Sequence, residues 1–175
     1  MMRLGLSKDK TVTKPGGPYG DTYMTELKGK VVAWCGELGF QHAGITDSEL
    51  SQAESRLAGG LRGKFHGSMD YMERHGTKRS RPDELVPGTL RVISVRMDYL
   101  PESQDAAKRR LDDGHSAYIS RYALGRDYHK TLRGRLRALA RHIEGNIGEF
   151  GYRVFVDSAP VLEKALAEKA GIGWE

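Results

Sequence analysis

One cysteine, Cys35, occurs in 175 residues. That excludes an intrachain disulfide, a cysteine-rich zinc site, and an iron–sulfur cluster held by the chain itself, which takes about four thiolates. Cys35 follows the apolar Val31-Val-Ala-Trp34 and reads as a small buried hydrophobe. No stretch approaches the roughly 20 apolar residues of a membrane helix. The first twenty residues are polar and Gly/Pro-rich, not an apolar signal core, so no secretion is expected and the cytoplasm is the default. Glycine-rich nucleotide motifs, a Gly-x-Ser-x-Gly elbow and His-Glu-x-x-His are all missing. The six histidines lack metal-ligand spacing. There is no internal repeat or low-complexity tract.

What is present fits one globular domain, with 38% hydrophobic and 29% charged residues. The formal net charge is +5, and most of the excess falls between Arg121 and Arg153. Two readings stay open: a surface for a polyanion, nucleic acid first, or a solvated helix face.

Residues 1–20 show no periodicity and are expected to form a disordered lead-in to a domain over 21–175. A helix is predicted from Asp21 or Thr25, with Leu27, Val31, Trp34, Cys35 and Leu38 in register, ending at Gly39. Phe40 to Thr46 reads as a short strand. Asp47 or Ser48 then caps a polar helix through Leu57, stopped by Gly59-Gly60. Residues 61–89 are basic and mostly irregular, with a short helix near Met69–Arg74. Residues 89–97 are the clearest strand, with Ile93, Val95 and Met97 on one face. A short helix is expected around Ala106–Leu111, and Tyr118 to Tyr122 as a strand or extended lead-in. Tyr128, Leu132, Leu136, Leu139, Ala140, Ile143 and Ile147 trace the apolar stripe of the best helix, with Arg133, Arg137 and Arg141 as a cationic line elsewhere on it. Strands and helices without strict alternation point to α+β.

The chain is organised around Tyr152-Arg-Val-Phe-Val-Asp157-Ser-Ala-Pro160. A strand over 152–156 delivers Asp157 to a turn, and a helix is predicted with Pro160 in its first turn and Gly171 as its stop. A carboxylate there is either a plain helix N-cap or a chemical group.

Further motifs carry a resemblance. These are Leu38-Gly-Phe40 to Gly44-Ile-Thr-Asp47, Gly67-Ser-Met-Asp-Tyr-Met72, Arg81-Pro-Asp-Glu-Leu-Val-Pro-Gly88, Arg121-Tyr-Ala-Leu-Gly-Arg-Asp-Tyr-His129, Phe155-Val-Asp-Ser-Ala-Pro160 and Ala167-Glu-Lys-Ala-Gly-Ile-Gly-Trp174. Together, in this order, they resemble the epoxyqueuosine reductases over about residues 36 to 174. The resemblance implies a mixed sheet flanked by helices in a nitroreductase-like, cobalamin-binding domain. It also implies an oxidoreductase that reduces epoxyqueuosine to queuosine at the wobble position of tRNA. Asp157 matches the proton donor, Arg79 a cobalamin-contacting arginine, and Ser120 a position close to the corrin. Arg121, Arg126, Asp127, Tyr128 and His129 are placed near the cofactor. An exposed aspartate is ionised at neutral pH, so the donor role calls for desolvation at Asp157.

In that family a ferredoxin-like domain with two [4Fe–4S] clusters follows. Ending at Glu175, the chain is expected to be truncated before it and inactive alone. An external electron donor and a monomeric state are expected. The alternative is a non-catalytic cobalamin-binding or carrier module.

Overall fold

The computed structural model describes residues 20–100 and 102–173, together with the backbone of residues 2–5. Trp174, the last residue of the family-like motifs, lies outside them. In chain order the elements are β1 (Met2–Gly5), α1 (Asp21–Glu37), β2 (His42–Thr46), α2 (Ser51–Arg62), α3 (Pro82–Leu85), β3 (Thr89–Arg96), α4 (Gln104–Asp112), α5 (Tyr128–Ile147), β4 (Gly151–Val154) and α6 (Glu163–Lys169). The class is α+β, as expected.

The four strands lie in the order β2-β3-β1-β4. Every described pairing is antiparallel, so the expected mixed sheet is corrected to an antiparallel one. The reason is topological. β1 and β2 point the same way, but β3 inserts between them as the returning strand, so like-directed strands never become neighbours. β1 falls within the expected disordered lead-in, of which residues 1 and 6–19 lie outside the described residues. Met2 pairs with Ile93 on one side and with Val154 on the other, which makes residues 2–5 the second of the two inner strands.

β3 separates two cores because successive residues of a strand face opposite ways. Ile93 packs with Val31, Cys35, Phe40, Leu136, Leu139, Ala140 and Ile143, the joint core of α1, α5 and the sheet. Val92, its neighbour, packs on the other face with Leu50, Val161, Ala165 and Leu166. Cys35 is buried, and burial pushes its thiol up to about 11, so it is a packing group.

Other boundaries differ from expectation for local reasons. α2 begins at Ser51 because Asp47 caps no helix: its carboxylate accepts from the Glu49 amide at 2.9 Å and pairs with Lys169 at 2.5 Å. α2 runs through Gly59-Gly60, whose missing side chains face open space. The short helix near Met69–Arg74 is one 3₁₀ turn, Asp70–Met72. Tyr118 to Tyr122 forms no strand; Arg121–Ala123 is a 3₁₀ turn instead.

The largest difference follows β4. Three tight i+2 turns come first: Ser158 N–H to Val156 C=O, Val161 N–H to Ala159 C=O and Glu163 N–H to Val161 C=O, at 2.6, 2.8 and 3.0 Å. Only then does α6 start, so Pro160 lies outside it and Asp157 is not its N-cap.

Candidate functional site

Asp157 sits at the mouth of this turn segment with φ +52°, one of two non-glycine residues in the left-handed region among the described residues. Aspartate tolerates that region better than most side chains, and such strain collects where a fold over-determines a position. What fixes it here is the first turn of α5. The Tyr128 hydroxyl donates a short hydrogen bond to Oδ2 of Asp157. His129 Nε2 stands 3.7 Å from the same oxygen. The bond from Tyr128 to Asp157, and after it desolvation, push the phenol up to about 12.

The start of α5 is itself anchored by Asp127, whose carboxylate caps the helix. Oδ1 accepts from the His129 amide at 3.0 Å and lies 2.8 Å from His129 Nδ1. Those two contacts hold the Asp127 carboxyl below its ordinary value. Asp127, His129 and Asp157 thus form a continuous polar chain, and it reaches solvent because the Asp157 side chain is 53% exposed.

Beside the acid lies an exposed ring surface. The Tyr128 ring meets Tyr122 edge-on at 6.0 Å, and Tyr122 meets Tyr99 edge-on at 6.0 Å. Tyr99, Tyr122, Ile119 and Leu124 are all solvent-exposed apolar side chains. Below Asp157 a cavity of about 120 Å³ opens between β3 and α5. It is lined by Val95, Met97, Leu132, Leu136, Val156, Asp157 and Glu163.

The other sequence-predicted residues stand in different settings. Ser120 precedes the 3₁₀ turn that presents Tyr122, and its carbonyl accepts from Ala123 at 2.9 Å. Arg121 faces away: its guanidinium pairs with Glu102 and lies 5.0 Å from the Tyr118 ring centre. Arg79 is buried, and its guanidinium donates to the Met72 carbonyl at 3.0 Å and the Tyr71 carbonyl at 2.5 Å. Its own carbonyl accepts from the Leu162 amide at 3.0 Å, which ties it to the segment carrying Asp157. Of the cationic line, Arg137 and Arg141 are exposed, while Arg133 leans toward Ser158 Oγ at 3.4 Å.

Glu163 is the residue that sequence reasoning missed. A glutamate in a helix's first turn ordinarily reads as a solvated, dipole-favoured charge, and only the packing of β3 and α5 around it shows otherwise.

The family described as "Epoxyqueuosine reductase QueG, DUF1730" matches residues 79–158. An epoxyqueuosine reductase of Pseudomonas aeruginosa is 61% identical over 141 residues, which cover 81% of this chain and 39% of that protein. The structure of epoxyqueuosine reductase from Streptococcus thermophilus aligns with a TM-score of 0.68 at 23% identity, over 85% of this chain and 40% of that one. A crystal structure of epoxyqueuosine reductase with an epoxyqueuosine-modified tRNA stem loop aligns at 0.66 and 21%, over 86% and 39%. The chain spans about 40% of the length of the curated relatives it matches. Over 81% of its length this chain resembles part of the epoxyqueuosine reductases in sequence, and it shares the fold of their solved structures.

Proposed function

We propose that this chain is the cobalamin-binding part of an epoxyqueuosine reductase, with Asp157 as the acid that protonates the departing epoxide oxygen. The observation that carries this reading is the pinned, half-exposed carboxylate of Asp157 beside an open apolar ring surface. Cleaving the C–O bond of an epoxide builds negative charge on oxygen, and a positioned acid lowers that barrier. Tyr128 orients the carboxyl through its hydrogen bond to Oδ2.

The residues present fit a corrinoid. Tyr99, Ile119, Tyr122 and Leu124 expose contiguous apolar surface of the kind that marks a large ligand site, and Ser120 lies among them. The 120 Å³ cavity is far too small for a corrin, so the ring would lie across the open face. Cobalamin, when bound, would supply the reducing chemistry for opening the epoxide. Arg79 supports the site by fixing the 71–72 backbone under the Asp157 segment. The [4Fe–4S] clusters and the path from an external electron donor belong to the longer protein.

Arg137 and Arg141 offer exposed cations for a tRNA backbone, in line with the stem loop bound in the structural relative. The protein acts as a monomer in the cytoplasm, where such tRNA is found. No helix among the described residues is long and apolar enough to cross a membrane.

Two measurements test this. Hydroxocobalamin added to the purified chain is expected to shift its corrin absorption, and an unchanged spectrum overturns the cofactor assignment. In the full-length reductase, Asp157→Asn is expected to retain the corrinoid and abolish turnover. Undiminished turnover refutes the donor role; corrinoid binding with no reductase activity in the full-length wild type supports a carrier instead.

A further inference from the structure

The cavity beneath Asp157 has two acids and five apolar side chains in its wall. The second acid, Glu163, makes no hydrogen bond or ion pair to any described side chain, whereas Asp157 is held by Tyr128 and approached by His129. We infer that Asp157 and Glu163 form a proton-sharing pair across this cavity, in which Glu163 reloads Asp157 within each turnover. The inference rests on the donor role proposed for Asp157.

Stoichiometry gives the pair a purpose. Converting an epoxide to an alkene breaks two C–O bonds and releases the oxygen as water, consuming two electrons and two protons. The electrons come from the reductant that feeds the iron–sulfur clusters of the longer protein. Asp157 carries one proton. After delivering it, the Asp157 carboxylate takes the proton of Glu163 and delivers that as well, and both carboxylates then recover protons from solvent. At ~30 Å³ per water the cavity has room for a bridging molecule or a few.

The surroundings favour a shared proton. β3 contributes only Val95 to the wall, with Met97 just past its end, and α5 contributes Leu132 and Leu136. Among the described residues Tyr128 and His129 are the titratable groups beside Asp157, Arg133 points at the adjacent Ser158, and the positive N-terminus of the chain acts on Glu163. Two carboxylates lining one small cavity repel each other when both are charged, which favours a single proton held between them. Burial, the largest influence, pushes the Glu163 carboxyl up against the pull of the positive N-terminus, and the charge of Asp157 adds to the rise.

This deepens the proposed mechanism and is tested apart from it. In the 175-residue chain, side-chain carboxyl carbon NMR should show Glu163 titrating at a pH that falls when Asp157→Asn removes its neighbour's charge. A Glu163 titration unmoved by that substitution overturns the pair, whatever the enzyme does. In the full-length reductase, Glu163→Gln should move the alkaline limb of the pH–rate profile down by about one unit or more, lowering turnover at neutral pH about tenfold or more. Glu163→Asp should restore part of it, and corrinoid binding should be unchanged in both. An unshifted profile in Glu163→Gln, with Asp157→Asn inactive, refutes the relay and leaves the donor assignment standing. An active Asp157→Asn refutes the donor assignment itself, and the relay with it.

Discussion

The Tyr128 phenol donates its hydrogen bond to the Asp157 carboxylate and so joins the first turn of α5 to the left-handed turn after β4. The two residues are 29 apart in sequence. Neither alone defines the site; the bond sets where the acid points.

Breaking that bond has an optical consequence. The phenol of Tyr128 is pushed up to about 12 by Asp157. Raised in the folded state, it contributes stability that is whole below its ordinary value of about 10 and is lost as pH rises through about 12. In Asp157→Asn one tyrosine of the eight should titrate earlier, read as tyrosinate absorbance. Tyr128→Phe should remove the late component altogether and slow the full-length enzyme about tenfold or more, at the scale of a hydrogen bond to a charged group.

Arg79→Lys should destabilise the fold. The guanidinium serves two carbonyls at once through Nε and Nη2, and a lysine ammonium cannot reproduce that fork. Leaving a buried carbonyl unmet costs about 1–3 kcal/mol. Urea unfolding of the two proteins at neutral pH measures it.

Glu54 controls the acid limb of stability. Arg81 holds its carboxylate at 2.7 Å and the buried Ser80 hydroxyl at 2.6 Å, which together bring it down to about 2. A depressed carboxyl stabilises the fold above its ordinary value of 4.5 and loses that contribution as pH falls through about 2. Glu54→Gln should flatten the decline of stability across that window, followed by denaturant unfolding at a series of pH values.

Two glycines should respond in opposite senses to alanine. A Cβ at Gly44 would lie 2.3 Å from the Ala170 carbonyl oxygen, at the end of α6. Gly44→Ala should therefore cost about 1–3 kcal/mol. Gly29, inside α1 with open space around it, should gain about 0.5–1 kcal/mol from the same change. Thermal melts should separate the pair by several degrees, at about 2–4 °C per kcal/mol for a chain of this size.

Elements with long, regular patterns were legible in the sequence. The stripe from Tyr128 to Ile147 gave α5 its bounds, and the alternation through Ile93 and Val95 placed β3 to within a residue. β1 was not legible, because four residues cannot declare a period and its pairing partners lie far along the chain. The start of α6 was misplaced because Pro160 is as well suited to a tight turn as to a helix's first turn. At the site, Asp157 stood out by motif. Its grip by Tyr128 and its neighbour Glu163 depend on tertiary packing, and no spacing rule joins residues 128, 157 and 163.

The place of β1 inside the sheet bears on how the molecule assembles. Its partners begin at Thr89 and Gly151, so the opening strand gains its first neighbour only at β3 and its second only at β4. Contact order is raised accordingly, and the entropy of closing those long loops precedes any reward from the ladders. During synthesis, α1 and β2 can gather local structure while one margin of β1 stays unzipped until β4 has left the ribosome. That unzipped margin is the nascent chain's point of greatest exposure to strand-mediated aggregation.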